Sequence, residues 1–281
     1  MEIIREISML RARVKEARSH GKLVGLVPTM GCLHQGHLAL LAKARAENGL
    51  TILSIFVNPL QFGVGEDYEE YPRDLESDAV QVEKAGGHII FAPTVKEMYP
   101  QGYATYVDVE RLTAGLCGAS RPHHFRGVTT VVAKLFNIVI PDNAYFGQKD
   151  AQQALVIQRM VRDLNMNVLV HIMPTVREAD GLAMSSRNSY LSPAERRAAL
   201  ILSQTLLQVS EKIQGGQRDA SAIQAFIVKE ISSEPLATID YVSIVDTEEI
   251  RPVKKISGRI LIALAVRFGK TRLIDNIIVE V

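Results

Sequence analysis

Residues 23–37 read LVGLVPTMGCLHQGH. An apolar run suited to a buried strand, LVGLVP, passes into a loop containing Gly31, and a helical period begins after Gly36. The same change of period recurs downstream. LTILSIFVNP (50–59) reads as a strand, Leu75 to Ala85 as a helix and HIIFAP (88–93) as a strand. They are followed by a helix from Val128 to Val139, a strand at NAYFG (143–147), a helix from Asp150 to Leu164 and a strand at NVLVHIM (167–173). Alternation of this kind argues for parallel strands joined by crossover helices, an α/β Rossmann-like sheet covered on both faces. Ligands of such sheets sit beyond the carboxyl ends of the strands, so the segments PTMGCLHQGH, NPLQF and GQKDAQQ are the places to look for chemistry.

After Pro174 the texture changes. Ser192 caps a helix with Pro193 in its first turn, predicted to run to Lys212; GGQRD (215–219) ends it, and a second helix runs to Ile231. ATIDYVSIVD, RILIALAVRFG and TRLIDNIIVEV then read as an antiparallel sheet. The expected organisation is a nucleotide-binding domain over 1–175 and a smaller C-terminal α+β domain over 176–281 that closes over the site. The first 22 residues read as one amphipathic helix without the continuous apolar stretch of a signal peptide, and no segment has the ~18 apolar residues of a membrane span.

The chain has 281 residues, 32 Lys and Arg against 31 Asp and Glu, and two cysteines, Cys32 and Cys117. A net charge of +1 gives no general attraction to nucleic acid or anionic membrane, so any anion site is local. Two cysteines without a CxxC pair make no disulfide framework and fit a reducing cytosol, where they are expected to pack as small apolar side chains.

The strongest local signal is HQGH. A helix beginning near Gly36 brings His34 and His37 to the same side of its N-terminus, where free N–H groups and partial positive charge favour phosphate. Gly31 and Gly36 are expected to let backbone approach a nucleotide. Asn58 and Gln61, around Pro59, offer amides suited to a ligand with hydroxyls and a carboxylate. EDYEEYPRDLESD (66–78) holds seven acidic residues, of which one could face a nucleotide-bound cation. In GASRPHHFRGV (118–128), Arg121, His123, His124 and Arg126 divide between phosphate contact and loop solvation. YFGQKDAQQ (145–153) places Lys149, Asp150 and Gln153 across a first helical turn, with Lys149 in reach of phosphate and Asp150 able to cap. READGLAMSSRNSYLS (177–192) presents Ser185, Ser186 and Arg187 in a polar loop that could wrap a triphosphate.

Taken in order, PTMGxLHxGH, FVNPxQF, YPR, RPxHFxGV, YFGxKDxQQ and MSSRN resemble the pantothenate synthetase family over most of residues 23–190. HQGH is similar to the HIGH signature of the nucleotidyltransferase superfamily, and MSSRN to the KMSKS loop of class I aminoacyl-tRNA synthetases. The resemblance implies a cytoplasmic, homodimeric ligase of pantothenate and coenzyme A biosynthesis. It would activate pantoate with ATP and Mg2+ as pantoyl-adenylate, release pyrophosphate, then join it to β-alanine and release AMP. It implies phosphate contacts from His34, His37, Lys149, Ser185, Ser186 and Arg187, and nucleotide contacts from Pro28, Thr29, Met30, Val176 and Met184. Gly147 and Asp150 would address the ribose, Gln61 and Gln153 would hold pantoate with Asn58 and Tyr71 nearby, and Asp78 would face Mg2+. Cys32 stands where the family usually has Ala and His123 where it has Gly, and Ser77 leaves one clear carboxylate at the metal position. The competing readings are an adenylyltransferase that retains the nucleotide in its product, a class I aminoacyl-tRNA synthetase, and a nucleotide-binding regulator without catalysis.

Overall fold

The computed structural model describes residues 1–63 and 65–281. Its larger sheet comprises β1 (Glu2–Ile4), β2 (Val24–Thr29), β3 (Leu50–Ile55), β4 (Ile89–Phe91), β5 (Asn143–Gly147) and β6 (Leu169–Met173). They lie side by side in the order β1-β4-β3-β2-β5-β6, and every pairing is parallel. From β2 the chain winds outward through β3 and β4, then crosses to the other side of β2 to lay down β5 and β6. The carboxyl ends of β2 and β5 therefore flank the point where strand order reverses, the position at which α/β sheets open a ligand crevice. HQGH follows the first of these strands and GQKDAQQ the second.

Helices cover both faces. Against one pack α2 (Gln35–Glu47) and α3 (Leu75–Lys84), through Leu40, Leu41, Ala44 and Val82 onto Val27, Leu53 and Ile90. Against the other pack α1 (Ile7–Ser19), α6 (His124–Val139) and α7 (Ala151–Asp163), through Leu10, Val132, Phe136, Leu155 and Ile157 onto Leu26, Ile52 and Phe146. Fully burying each Leu, Ile, Val or Phe side chain among these contributes about 1.5–3 kcal/mol. Two single-turn helices, α4 (Val95–Met98) and α5 (Cys117–Ser120), sit in the long connection between β4 and α6.

The N-terminal expectation is corrected: Glu2–Ile4 is an edge strand, and the helix starts only at Ile7. The apolar spacing of the first residues suits a helix, but pairing with Ile89–Phe91 wins for three of them. The helix read from Val128 opens a turn earlier, at His124, from a left-handed His123 with φ 65°.

Beyond β6 the chain leaves the parallel sheet. Ser192 and Glu195 form a reciprocal cap on α8 (Pro193–Ala198), which gives way at Ala199 to α9 (Leu200–Gln214), so the single helix read there is two; α10 (Ala220–Ser232) follows. The antiparallel sheet is β7 (Ala237–Asp246), β8 (Arg259–Phe268) and β9 (Thr271–Glu280). On β8, Ile260, Ile262, Leu264 and Val266 pack with α9 and α10, while Leu261 and Ala263 join the core beneath α6 and α7. That two-residue alternation explains why RILIALAVRF is apolar almost throughout: both faces of the central strand are covered. Among the described residues, no helix is long and apolar enough to cross a membrane.

Candidate active site

His34 is the N-cap of α2, and it makes a reciprocal arrangement with His37. The Gly36 N–H donates to His34 Nδ1 at 3.1 Å, and the His34 N–H donates to His37 Nδ1 at 3.3 Å. Because both Nδ1 atoms accept, both imidazoles are neutral and carry their proton on Nε2, so each keeps one ring N–H to offer a ligand. The rings stack with centroids 4.0 Å apart. Burial, and then the neighbouring His34, push His37 down to about 3; burial, and then Lys149, lower His34 as well. The pair therefore acts as a hydrogen-bond donor at neutral pH rather than as a pair of cations.

The glycines serve the loop more than ligand approach, which amends the expectation. Gly31 has φ +86°, and a Cβ there would stand 2.9 Å from Asp78 Oδ2; a Cβ on Gly36 would stand 2.8 Å from the His34 ring.

Across the crevice, Asn58 caps a short turn, Pro59–Gln61, at the end of β3. Its amide donates to the Gln61 side-chain oxygen at 3.2 Å and to the Gly127 carbonyl at 3.0 Å, while its oxygen accepts from the Tyr99 hydroxyl at 2.8 Å. Asn58 is 1% exposed and lies behind the cleft wall, so the substrate-contact expectation is corrected: it orients Gln61 from beneath. The Gln61 amide nitrogen then faces Met30 Sδ at 3.0 Å. His124 donates from Nδ1 to the Gln61 carbonyl at 2.8 Å, and Arg121 donates to the same carbonyl at 3.3 Å. Burial, then Arg121, pushes His124 down to about 4, so it too is neutral.

The third wall draws on both sheets. Gly147 ends β5, where a Cβ would meet no protein atom within 4 Å. Lys149 Nζ lies 3.9 Å from Asp150 Oδ2, and the expected cap from Asp150 is not made: its side chain accepts no hydrogen bond from α7. Asn276 of β9 donates to the carbonyls of Gln148 and Lys149, both at 2.9 Å. A small hairpin, in which the Met184 N–H donates to the Val176 carbonyl and Arg177 bridges Ala183, carries Ser185–Arg187 to the opening. Arg177 clamps that hairpin to Asp275 through two hydrogen bonds of 2.7 and 3.0 Å. The Ser185 hydroxyl accepts the Arg187 N–H, and Arg187 reaches Asp67 at 3.2 Å. Tyr71 is buried beside Ser186, and that burial holds its hydroxyl protonated with a pKa pushed up to about 12.

These walls enclose one cleft of about 460 Å³. Pro28, Thr29, Met30, His34, His37, Gln61, Tyr71, Gly147, Lys149, Asp150, Gln153, Val176, Met184, Ser185, Ser186 and Arg187 all line it. Arg121 and His124 line it too, whereas His123 caps α6 and Arg126 lies over the Tyr106 ring. Phe56, Val128, Val131, Leu135 and Phe146 form an apolar floor; Phe56, Val128 and Phe146 lie within the quoted motifs with no role assigned to them there, and Val131 and Leu135 lie outside any motif. A family model described as pantoate-beta-alanine ligase matches residues 2–278.

The chain belongs to the pantoate–β-alanine ligase family. It is 61% identical over 281 residues to pantothenate synthetase of Heliobacterium modesticaldum and 58% identical to that of Acetivibrio thermocellus, each match covering 100% of both chains. A crystal structure of pantothenate synthetase from Thermus thermophilus superposes with a TM-score of 0.93 at 48% identity, covering 99% of each chain. The pantoate-beta-alanine ligase of Francisella tularensis, a structure described as complexed with beta-gamma ATP and beta-alanine, superposes with a TM-score of 0.78 at 33% identity, covering 99% of this chain and 97% of that one. Family membership sets aside the adenylyltransferase, aminoacyl-tRNA synthetase and regulator readings.

In this family member Asp78 does not face the cleft. It is 2% exposed, and its two oxygens accept the N–H groups of Cys32 at 2.9 Å and Leu33 at 2.8 Å, so it anchors the HQGH loop. The expectation that it faces a metal is corrected accordingly. Asp150 supplies the one carboxylate on the cleft wall among the described residues, and no group of three potential ligands occurs among them. That donor set fits Mg2+ carried by nucleotide phosphates and water rather than an ion held by a protein cage. Cys32 and Cys117 are half-buried free thiols; Cys117 packs against the larger core, with its Sγ 3.3 Å from the Tyr241 hydroxyl.

Proposed function

We propose that this chain joins pantoate to β-alanine at the expense of ATP, through an enzyme-bound pantoyl-adenylate. The observation that carries the reading is a convergence within one cleft. His34, His37, Lys149 and Ser185–Arg187 meet there with the amide side chains of Gln61 and Gln153.

In the first step a pantoate carboxylate oxygen bonds to the α-phosphorus of ATP, and the bond to the bridging oxygen breaks, so that pyrophosphate leaves with the electron pair. The imidazole Nε2–H groups and Lys149 stabilise charge growing on the departing phosphates. Arg187 joins them by exchanging Asp67 for phosphate. Gln61 and Gln153 hold the pantoate carboxylate and hydroxyls with Tyr71 nearby, Asp150 and Gly147 address the ribose, and Pro28, Thr29, Met30, Val176 and Met184 contact the nucleotide. Mg2+ bound with ATP would lower the charge of the triphosphate, and Asp150, the one carboxylate on the cleft wall among the described residues, would be the protein group to meet its hydration shell. In the second step the neutral amine of β-alanine attacks the acyl carbon. The carbon–oxygen bond to phosphate breaks, AMP leaves with its electrons, and the amine nitrogen gives up a proton to solvent. No nucleophilic side chain is required; positioning and electrostatics suffice.

The reading extends to a cytoplasmic homodimer, with residues 176–281 closing over the 1–175 module through the hairpin that bears Ser185–Arg187. Sedimentation at micromolar protein tests the dimer. The chemical test is isotope exchange between pyrophosphate and ATP, expected with pantoate and without β-alanine. Formation of ADP and phosphate would overturn the adenylate route.

A further inference from the structure

Lys149 and Ser185–Arg187 face one cleft from segments remote in sequence, the turn Gln148–Asp150 after β5 and the small hairpin that follows β6. Both can stabilise the same departing phosphates only if their separation is right, since a misplacement of about 1 Å can cost roughly a hundredfold in rate. Groups carried on loops reach that tolerance when a rigid element supports them. Here the support is β9, which pairs with β8 along its full length, from Thr271 opposite Phe268 to Glu280 opposite Arg259. Two consecutive residues of this strand, Asp275 and Asn276, hold the two segments. Neighbours on a strand project to opposite faces, and both of these side chains are buried.

The Asn276 amide directs both of its N–H groups at the lysine turn, to the Gln148 carbonyl and the Lys149 carbonyl, each at 2.9 Å. Those carbonyls belong to the peptide planes on either side of the Lys149 Cα. With both planes pinned, φ and ψ of Lys149 are set, and with them the direction in which its side chain leaves the backbone. Asp275 holds the other segment. Its carboxylate pairs with both terminal nitrogens of Arg177, which also donates to the Gly181 carbonyl at 3.1 Å inside the hairpin. One oxygen of the same carboxylate accepts the Asn276 N–H at 2.8 Å, so the two anchors are tied to each other. Parting this pair would leave a buried carboxylate without its partner, which makes the tie a firm one.

We propose that Asn276 is a positioning residue for adenylate formation: it aims Lys149 at the departing pyrophosphate, and Asp275 beside it keeps that aim in register with Ser185–Arg187. The inference rests on the ligase reading above and adds to it the element that sets the spacing of the two phosphate-facing segments.

The experiment measures pantoate-dependent pyrophosphate–ATP exchange in wild type, Asn276→Ala, Lys149→Ala and the double variant, and in Asp275→Asn. Asn276→Ala and Asp275→Asn are each expected to lower the exchange kcat roughly tenfold or more with KM for ATP within about threefold of wild type, because the charge they help to meet grows in the transition state. Added to Lys149→Ala, Asn276→Ala is expected to cost less than about a further threefold, since no lysine remains to be aimed. A side chain that served stability alone would lower activity equally in both backgrounds. A smaller loss of kcat in either single variant, a larger rise in KM for ATP, or a larger further loss in the double variant overturns the proposal. Should Asn276→Ala fail to fold, the same cycle with Asn276→Ser decides on the same outcomes. Absence of pantoate-dependent exchange in wild type would count against the ligase reading itself, a separate result.

Discussion

Gly127 lies so close to the backbone of Leu60 that a Cβ added to it would stand 2.2 Å from the Leu60 carbonyl oxygen. Helix α6 can reach the Pro59–Gln61 turn only because that position has no side chain, and the Asn58 amide then fastens to the Gly127 carbonyl. Placement of Gln61 thus depends on a glycine far downstream of it in the chain.

Gly127→Ala should push the turn outward. Overpacking of this kind costs about 1–3 kcal/mol of stability. Steady-state kinetics should show the pantoate KM raised roughly tenfold or more, the effect of one displaced hydrogen bond in a partly desolvated site. A normal pantoate KM in the folded variant would show that α6 and the turn are not coupled in this way.

His37→Ala removes one Nε2–H donor and should lower kcat roughly a hundredfold with a smaller effect on KM for ATP. The same residue makes a pH prediction. Its folded-state pKa, about 3, lies below the ordinary imidazole value, so the unfolded chain binds the extra proton first as pH falls. The stability associated with the neutral ring is complete above about 6.5 and is lost progressively towards pH 3. Urea titrations between pH 7 and 4 should show wild type losing stability more steeply than His37→Ala. Parallel curves would contradict the assignment.

Asp78→Asn turns one of two accepting oxygens into a donor facing a backbone N–H. The expected loss is about 1–3 kcal/mol of stability, the cost of an unsatisfied buried group. The Mg2+ dependence of activity should be unchanged, which titration of Mg2+ at fixed ATP would check. A raised Mg2+ requirement without destabilisation would restore the metal-facing role.

Gln153→Glu inserts a carboxylate on the cleft wall where an amide can donate to pantoate. Repulsion and a lost hydrogen bond should weaken pantoate binding roughly a hundredfold. ATP affinity should hold. Calorimetric titration of each ligand separates the two, and an equal loss for both would remove Gln153 as a selective contact.

Periodicity revealed the parallel sheet because its strands are buried on both faces, and the motifs at their carboxyl ends revealed most of the cleft. What stayed hidden depends on contacts between distant residues. Asp78 sits 46 positions from Cys32, and nothing local distinguishes a carboxylate that anchors a loop from one that meets a cation. Asn58 looked like a substrate contact because its amide chemistry is right, yet Tyr99 and Gly127 use up that capacity. Glu2–Ile4 was read as helix because its apolar spacing merges with that of the helix behind it, and only the presence of β4 decides otherwise. Arg121 and His124 stood out by composition, but that these two of the four basic residues line the cleft, with His123 at the cap of α6 and Arg126 over the Tyr106 ring, shows only in the fold.

The two hydrogen bonds from Asn276 to the carbonyls of Gln148 and Lys149 have a consequence for synthesis. The chain is made from its N-terminus, so all six parallel strands have left the ribosome well before the group that steadies the lysine turn. The lysine turn is completed only by Asn276 of β9, so the antiparallel sheet finishes a wall of the cleft that the parallel sheet begins.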